Sequence, residues 1–236
     1  MSSPQATPLG EIVTVIVGNL AKYSCLETFS IHKSIICGHS PFFEAACSER
    51  WQQTGKQPIE LPDDPVIFGY FVQWLYTGKF EVSGIHGDQL KSFNGESGLD
   101  DEMELTCDAL QRVYYLGDRL QVADLKDHVV SKIASLWGDQ YEVNAYSISA
   151  NNIRSIYENT IPESKLRKLI VDLWAQYLHL DAVDEEVSNA LVPAFLWDLA
   201  RAVDRHYFGV LLGDYPRHPT DRICSYHEHG EGEHCA

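Results

Sequence analysis

The chain has 236 residues, with 18 lysines and arginines against 34 aspartates and glutamates, a formal net charge of −16. That charge repels phosphate backbones and anionic lipid surfaces, so it argues against nucleic acid and membranes as partners. Hydrophobic residues make up 44%, enough for a packed core, and no run approaches the ~18 apolar residues of a membrane-crossing helix.

Met1-Ser-Ser-Pro4-Gln-Ala-Thr-Pro8 carries neither a basic region nor an apolar core. It does not read as a secretory signal, and residues 1–11 are expected to form a flexible N-terminus. An intracellular location, cytoplasmic or nuclear, follows as the expectation. The six cysteines, at 25, 37, 47, 107, 224 and 235, are then expected as reduced thiols. Cys37 and Cys47 lie among apolar residues and suit small core positions.

Val13-Thr-Val-Ile-Val17 is a short β-branched run ending at Gly18-Asn19, which predicts a buried strand and a turn. Phe29-Ser-Ile31 is its expected hairpin partner, across a loop over 19–27. Ser40-Pro41 has the pattern of an N-cap followed by proline in the first helical turn. Phe42, Phe43, Ala46 and Cys47 would share one face of that helix. Ile59-Glu-Leu61 predicts a third strand. Asp64-Pro65 repeats the cap-plus-proline pattern, and Ile67, Phe68, Phe71, Val72 and Leu75 recur at helical spacing. Thr77-Gly78 ends that helix.

Residues 81–104 hold four glycines and seven acidic residues without apolar periodicity, the character of a solvated insertion. Helical pattern resumes over Leu105–Leu120 through Leu110, Val113, Tyr114 and Gly117. Another helix begins at Asp124 with Leu125, Val129, Ile133 and Leu136 on one stripe. Farther on, Pro162-Glu163 is expected to open a helix with Leu166, Leu169, Ile170, Leu173, Trp174 and Tyr177 on one face. Pro193 opens another, with Phe195, Leu196, Leu199, Ala200 and Val203.

The ordered set Phe29-Ser-Ile-His32-Lys33, Ser40-Pro41-Phe42-Phe43, Ile59-Glu-Leu61 and Tyr76-Thr77-Gly78 resembles the BTB/POZ domain. The resemblance covers about Ile12–Phe80 and resumes over Leu105–Leu136. It implies an α+β fold: a short three-stranded sheet flanked by helices, followed by a C-terminal helical region. The expected division is a BTB/POZ domain at 12–136 with the acidic insertion at 81–104, a helical region at 139–213 and a Cys/His-rich tail at 214–236. The segment from Ile153 to Arg167, and Cys224-Ser-Tyr226-His227-Glu-His229, resemble the C-terminal region of fungal BTB-only proteins.

By that resemblance the chain is a non-enzymatic protein-interaction module, a scaffold or adaptor. The alternative is a substrate adaptor of a cullin-based ubiquitin ligase. Animal cullin adaptors often carry a hydrophobic-x-Glu motif around the helix that here runs Pro65–Tyr76, yet no acidic residue lies between Pro65 and Lys79. In homodimeric BTB domains a basic residue at Lys33 pairs with an Asp ahead of the first strand. That place falls near Ile12, with Glu11 beside it. The simpler expectation is that His32 packs over the sheet edge while Lys33 caps or lies along the surface. Only about ten residues precede the first strand, two of them prolines, so weak or conditional self-association is expected instead of a strand-exchanged dimer.

No nucleophile elbow, His-Glu-x-x-His or dinucleotide-binding glycine pattern occurs. Thr77-Gly78-Lys79 resembles the end of a phosphate loop, but Gln73 stands where the first glycine is required. Asp63-Asp64 could form a carboxylate pair; helix capping is the better reading. One metal-like pattern remains, Cys224-x2-His227-x-His229-x4-His234-Cys235. Thiolate and imidazole at close spacing suit a structural zinc. Cys224, His227, His229 and Cys235 are the expected ligands, with His234 as substitute. A disordered tail is the competing expectation.

Overall fold

The computed structural model describes residues 10–20, 25–48, 57–82, 101–138, 148–177, 189–211 and 219–229. The expected flexible N-terminus up to residue 9, most of the expected insertion (83–100), and His234 and Cys235 lie outside the described residues. The chain divides into two compact units, residues 1–81 with 116–125, and residues 82–115 with 126–236. No helix among the described residues is long and apolar enough to cross a membrane.

The first unit is built on a three-stranded mixed sheet of order β2-β1-β3. β1 (Ile12–Gly18) pairs antiparallel with β2 (Leu26–His32), Ile12 opposite His32 and Gly18 opposite Leu26. β3 (Ile59–Leu61) runs parallel to β1, with Val15 beside Ile59. Alternation explains the central place of β1: Val13, Val15 and Val17 are buried on one face, while Thr14 and Ile16 are half-buried on the other. β2 is longer than the Phe29–Ile31 expected, and most of it is exposed, as suits an edge strand.

Gly18 ends β1 at φ +137°, a conformation that L side chains rarely adopt. A Cβ there would also collide with the carbonyl oxygen of Cys25. Gly78, the C-cap of the helix over Pro65–Thr77, sits at φ +67° with open space around it. Gly18→Ala is therefore expected to cost about 1–3 kcal/mol from the strained backbone alone, with the clash added. Gly78→Ala should cost about 1–2 kcal/mol, with no clash added. Chemical denaturation of the two variants checks the order, and an equal loss would remove the role given to the Cys25 carbonyl.

Two short helices follow β2, α1 (Lys33–His39) and α2 (Pro41–Ala46). Ser40 caps α2 as expected: its Oγ accepts from the Phe43 N–H at 3.3 Å. The same hydroxyl donates to the Leu120 carbonyl at 2.7 Å, so a fully buried polar atom has both its roles filled. α3 (Pro65–Thr77) is capped by Asp64, whose Oδ1 accepts from Val66 N–H at 2.8 Å. Asp63 instead pairs with Arg119. Phe43, Phe68, Phe71 and Trp74 form the aromatic centre of this unit, with the Phe68 and Phe71 rings 5.5 Å apart and Phe29 edge-on to Phe68 at 5.0 Å. Phe42 departs from its expected core place. It is half-buried, and its ring meets Phe43 edge-on at 5.2 Å.

α4 (Asp101–Arg119) begins four residues before the expected Leu105, so residues 101–104 of the supposed insertion are helical. Leu110, Val113, Tyr114 and Gly117 are buried as the spacing requires. α5 (Ala123–Gly138) buries Leu125, Val129 and Ile133, but leaves Leu136 half-buried. The second unit adds α6 (Ala150–Asn159), capped by Ser149, α7 (Lys165–Tyr177) and α8 (Pro193–Leu211).

Pro162-Glu163 does not open α7. Ser164 N–H donates to the Ile161 carbonyl at 3.0 Å, closing a turn over those two residues, and Lys168 N–H bonds to the Ser164 carbonyl at 3.2 Å. Leu166, Leu169, Ile170, Leu173 and Trp174 are buried as expected; the Tyr177 side chain lies outside the described residues. On α8 the buried stripe is Phe195, Leu199 and Ala202, while Leu196, Ala200 and Val203 are exposed. The face is narrower than expected because Phe195 packs edge-on against Trp174 at 5.3 Å and Tyr157 at 5.8 Å, which fixes the rotation of the helix.

Candidate functional site

Four elements of the first unit meet at one corner of its sheet: the start of β1, the end of β2, the start of α1 and the end of α3. The backbone N–H of Lys33 donates to the Glu11 carbonyl at 2.7 Å, and its Nζ lies 3.5 Å from Glu11 Oε2. An acidic partner for Lys33 is thus present as Glu11, one residue before the strand, and Lys33 is in an ion pair, not only lying along the surface. His32 behaves as expected of a residue on the sheet edge. Its backbone N–H donates to the Tyr76 hydroxyl at 3.0 Å, and its Nδ1 is 2.8 Å from the same oxygen. Ile12 and Tyr76 keep 54% and 43% of their surface exposed. The corner thus presents an aliphatic and an aromatic side chain beside a solvated ion pair.

Burial, and then the neighbouring Cys37, push the Cys47 thiol up to about 12. It therefore stays protonated and inert at neutral pH. Thr77-Gly78-Lys79 is a helix end as read from the sequence, with Gly78 N–H bonded to the Trp74 carbonyl at 2.8 Å.

Residues 13–94, which take in the described corner except Glu11 and Ile12, match the BTB/POZ domain. The chain carries a BTB/POZ domain. Comparison with curated proteins gives no match. BTB/POZ domains are protein–protein interaction modules, so the exposed corner of the first unit lies on a fold whose general work is binding.

Beyond the BTB/POZ match, the second unit gathers three of the four expected metal ligands. Cys224, His227 and His229 bring one ligand atom each within 4.8 Å of one another. Cys235, the fourth, lies outside the described residues. Cys224 lies within a short 3-10 segment over Pro219–Tyr226, in which Tyr226 is fully buried, and His227 and His229 follow it. His227 N–H closes a turn onto the Cys224 carbonyl at 3.3 Å, which explains how a Cys-x2-His spacing turns both side chains the same way. Residues 219–229 are docked; the rest of the expected tail, 214–218 and 230–236, lies outside the described residues. The Tyr226 hydroxyl donates to Asp172 Oδ2 at 2.9 Å, and Arg222 Nη2 reaches the same oxygen at 3.2 Å. On α5, Glu228 N–H donates to Asp127 Oδ1 at 2.7 Å, and Lys126 pairs with Glu228 at 2.7 Å.

His227 is 6% exposed. Its Nε2 lies 2.8 Å from Ser131 Oγ. Burial pushes the His227 imidazole down towards the neutral form, and burial likewise raises the carboxyl of nearby Asp127. The Ser131 and Asp127 partners were not legible in the sequence. Each lies about a hundred residues from the tail, and a serine or aspartate on a helix carries no mark of such a contact.

Proposed function

We propose that this chain is a non-enzymatic scaffold or adaptor that binds other proteins through its BTB/POZ domain. The observation that carries the reading is the match of residues 13–94 to that domain, on a unit whose sheet corner exposes Ile12 and Tyr76 beside the Lys33–Glu11 pair. The resemblance of Ile153–Arg167 and of Cys224–His229 supports kinship with fungal BTB-only proteins. An intracellular place, cytoplasmic or nuclear, accompanies the reading, and no nucleic-acid or membrane partner is needed at a net charge of −16.

Ile12→Asp and Tyr76→Ala test it together. Ile12 is largely exposed, so the first variant should shift stability by no more than about 0.5 kcal/mol. Affinity capture with the wild-type chain is expected to retain a set of proteins that Ile12→Asp releases while its melting temperature stays unchanged. Cullin subunits in that set would narrow the reading to a ubiquitin-ligase adaptor. Self-association, followed by sedimentation, is expected to be weak and concentration-dependent. Catalytic turnover that copurifies with the chain and is abolished by one point substitution would overturn the proposal.

A further inference from the structure

We propose that Cys224, His227 and His229 bind one zinc ion, and that the ion clasps the docked segment 219–229 to the second unit. One cysteine and two histidines bring one ligand atom each within 4.8 Å of one another. Around zinc, bonds of about 2.0–2.3 Å at tetrahedral angles set ligand atoms roughly 3.3–3.8 Å apart. A contraction of about 1–1.5 Å, within the reach of side-chain rotation, brings the three atoms to that spacing and leaves the fourth position to water or a further donor. One thiolate and two imidazoles favour zinc over calcium or magnesium, which take oxygen ligands.

The surroundings are those of a supported metal site. Metal-bound histidines characteristically donate their second ring N–H to an oxygen, which fixes tautomer and orientation. Ser131 Oγ, 2.8 Å from His227 Nε2, is placed for that work. That role requires the tautomer with its proton on Nε2, which leaves the Nδ1 lone pair for the metal. Asp127 holds the backbone between the two histidines through the Glu228 N–H, so the His-x-His turn is fixed by α5. The His227 and His229 rings stand nearly perpendicular, at 83°, with centroids 5.4 Å apart.

The consequence is mechanical. Residues 219–229 reach α7 through Asp172 and α5 through Asp127, Lys126 and Ser131. A metal bond across Cys224 and the two histidines fixes the end of the 3-10 segment to the turn that contacts α5. Removal of the ion should loosen both attachments together, because metal-binding free energy is folding free energy for the segment that supplies the ligands.

The test uses the 236-residue chain made without a histidine tag. Elemental analysis for zinc, copper, nickel and cobalt is expected to give close to one equivalent of zinc. Cobalt substitution should give the visible bands of a tetrahedral site and a thiolate-to-metal charge-transfer band that Cys224→Ser removes. Cys224→Ser and His229→Ala should each lose most of the zinc, and His206→Ala, on α8, should lose none. Ser131→Ala should keep the fold and weaken zinc affinity by about 10–100-fold. If Cys224→Ser fails to fold, chelation of the wild-type chain gives the same reading: hydrogen exchange should quicken in residues 219–229 and recover on adding zinc. Less than a tenth of an equivalent of zinc in the wild type, zinc content unchanged in Cys224→Ser, or another metal in excess of zinc would each overturn the proposal.

Discussion

Phe43→Ala is expected to lower the stability of the chain by about 3–5 kcal/mol, while Phe42→Ala beside it costs about 1–1.5 kcal/mol. Both phenylalanines stand in the first turn of α2, and the sequence alone gives them equal claim to the core. Phe43 is fully buried, with its ring stacked near-parallel on Phe71 at 6.5 Å and tilted against Phe68 at 6.4 Å. Its removal opens a cavity between α2 and α3 that neither capped helix can close without shifting. Phe42 is half-buried and rests on the outside of Phe43, so its truncation loses area and leaves little void. A loss of that size is a large part of the ~5–15 kcal/mol by which domains are stable. Urea unfolding followed by near-ultraviolet circular dichroism should show the midpoint falling far more for Phe43→Ala. Equal shifts would place Phe42 in the core after all.

Arg167→Ala should be nearly as damaging, at about 2–4 kcal/mol, although it removes a charged residue. Arg167 is only 9% exposed. Its Nη2 donates to the Tyr157 carbonyl at 2.7 Å and to the Thr160 carbonyl, and its Nε donates to Thr160 Oγ1 at 2.8 Å. The guanidinium also lies over the Tyr157 ring, 4.4 Å from its centroid. These acceptors sit at the C-terminal end of α6, where helix carbonyls lack partners of their own. One side chain from α7 satisfies them and joins the two helices. Deleting it strands carbonyls whose unmet bonding costs about 1–3 kcal/mol each. Arg167→Lys should recover little, because a single ammonium cannot reproduce the planar fork. Thermal melting of both variants checks this, and a lysine variant as stable as wild type would show that charge alone suffices.

The strands and caps of the first unit were legible because their signals are local. Val13, Val15 and Val17 alternate within one strand. Ser40-Pro41 and Asp64-Pro65 write their capping bonds into adjacent residues, and Gly78 marks the left-handed turn that ends α3. The nearness of Cys224 and His227 was legible for the same reason: a single turn joins them. Where local cues misled, tertiary bonding had overridden them. Pro162 reads as a helix start, but the turn it enters is held by Ser164, whose hydroxyl lies 3.2 Å from that of Tyr114. The apolar residues of α8 offered several faces, and the rings of Trp174 and Tyr157 selected one.

The sequence by itself determined the strands of the first unit and a helical second half, because hydrophobic period and capping chemistry act within a few residues, and the ordered motifs carried the resemblance to the BTB/POZ domain. Tertiary structure alone decided which polar groups meet. Ser131 and His227 are 96 residues apart, Asp172 and Tyr226 are 54 apart, and Ser40 and Leu120 are 80 apart. No spacing rule reaches across such distances. A buried donor must find an acceptor or lose its hydration uncompensated, and the acceptor is whichever atom the packed helices place beside it. The pairing is therefore a property of the assembled core, and the residues on either side of it are ordinary serines, aspartates and tyrosines until the chain has folded.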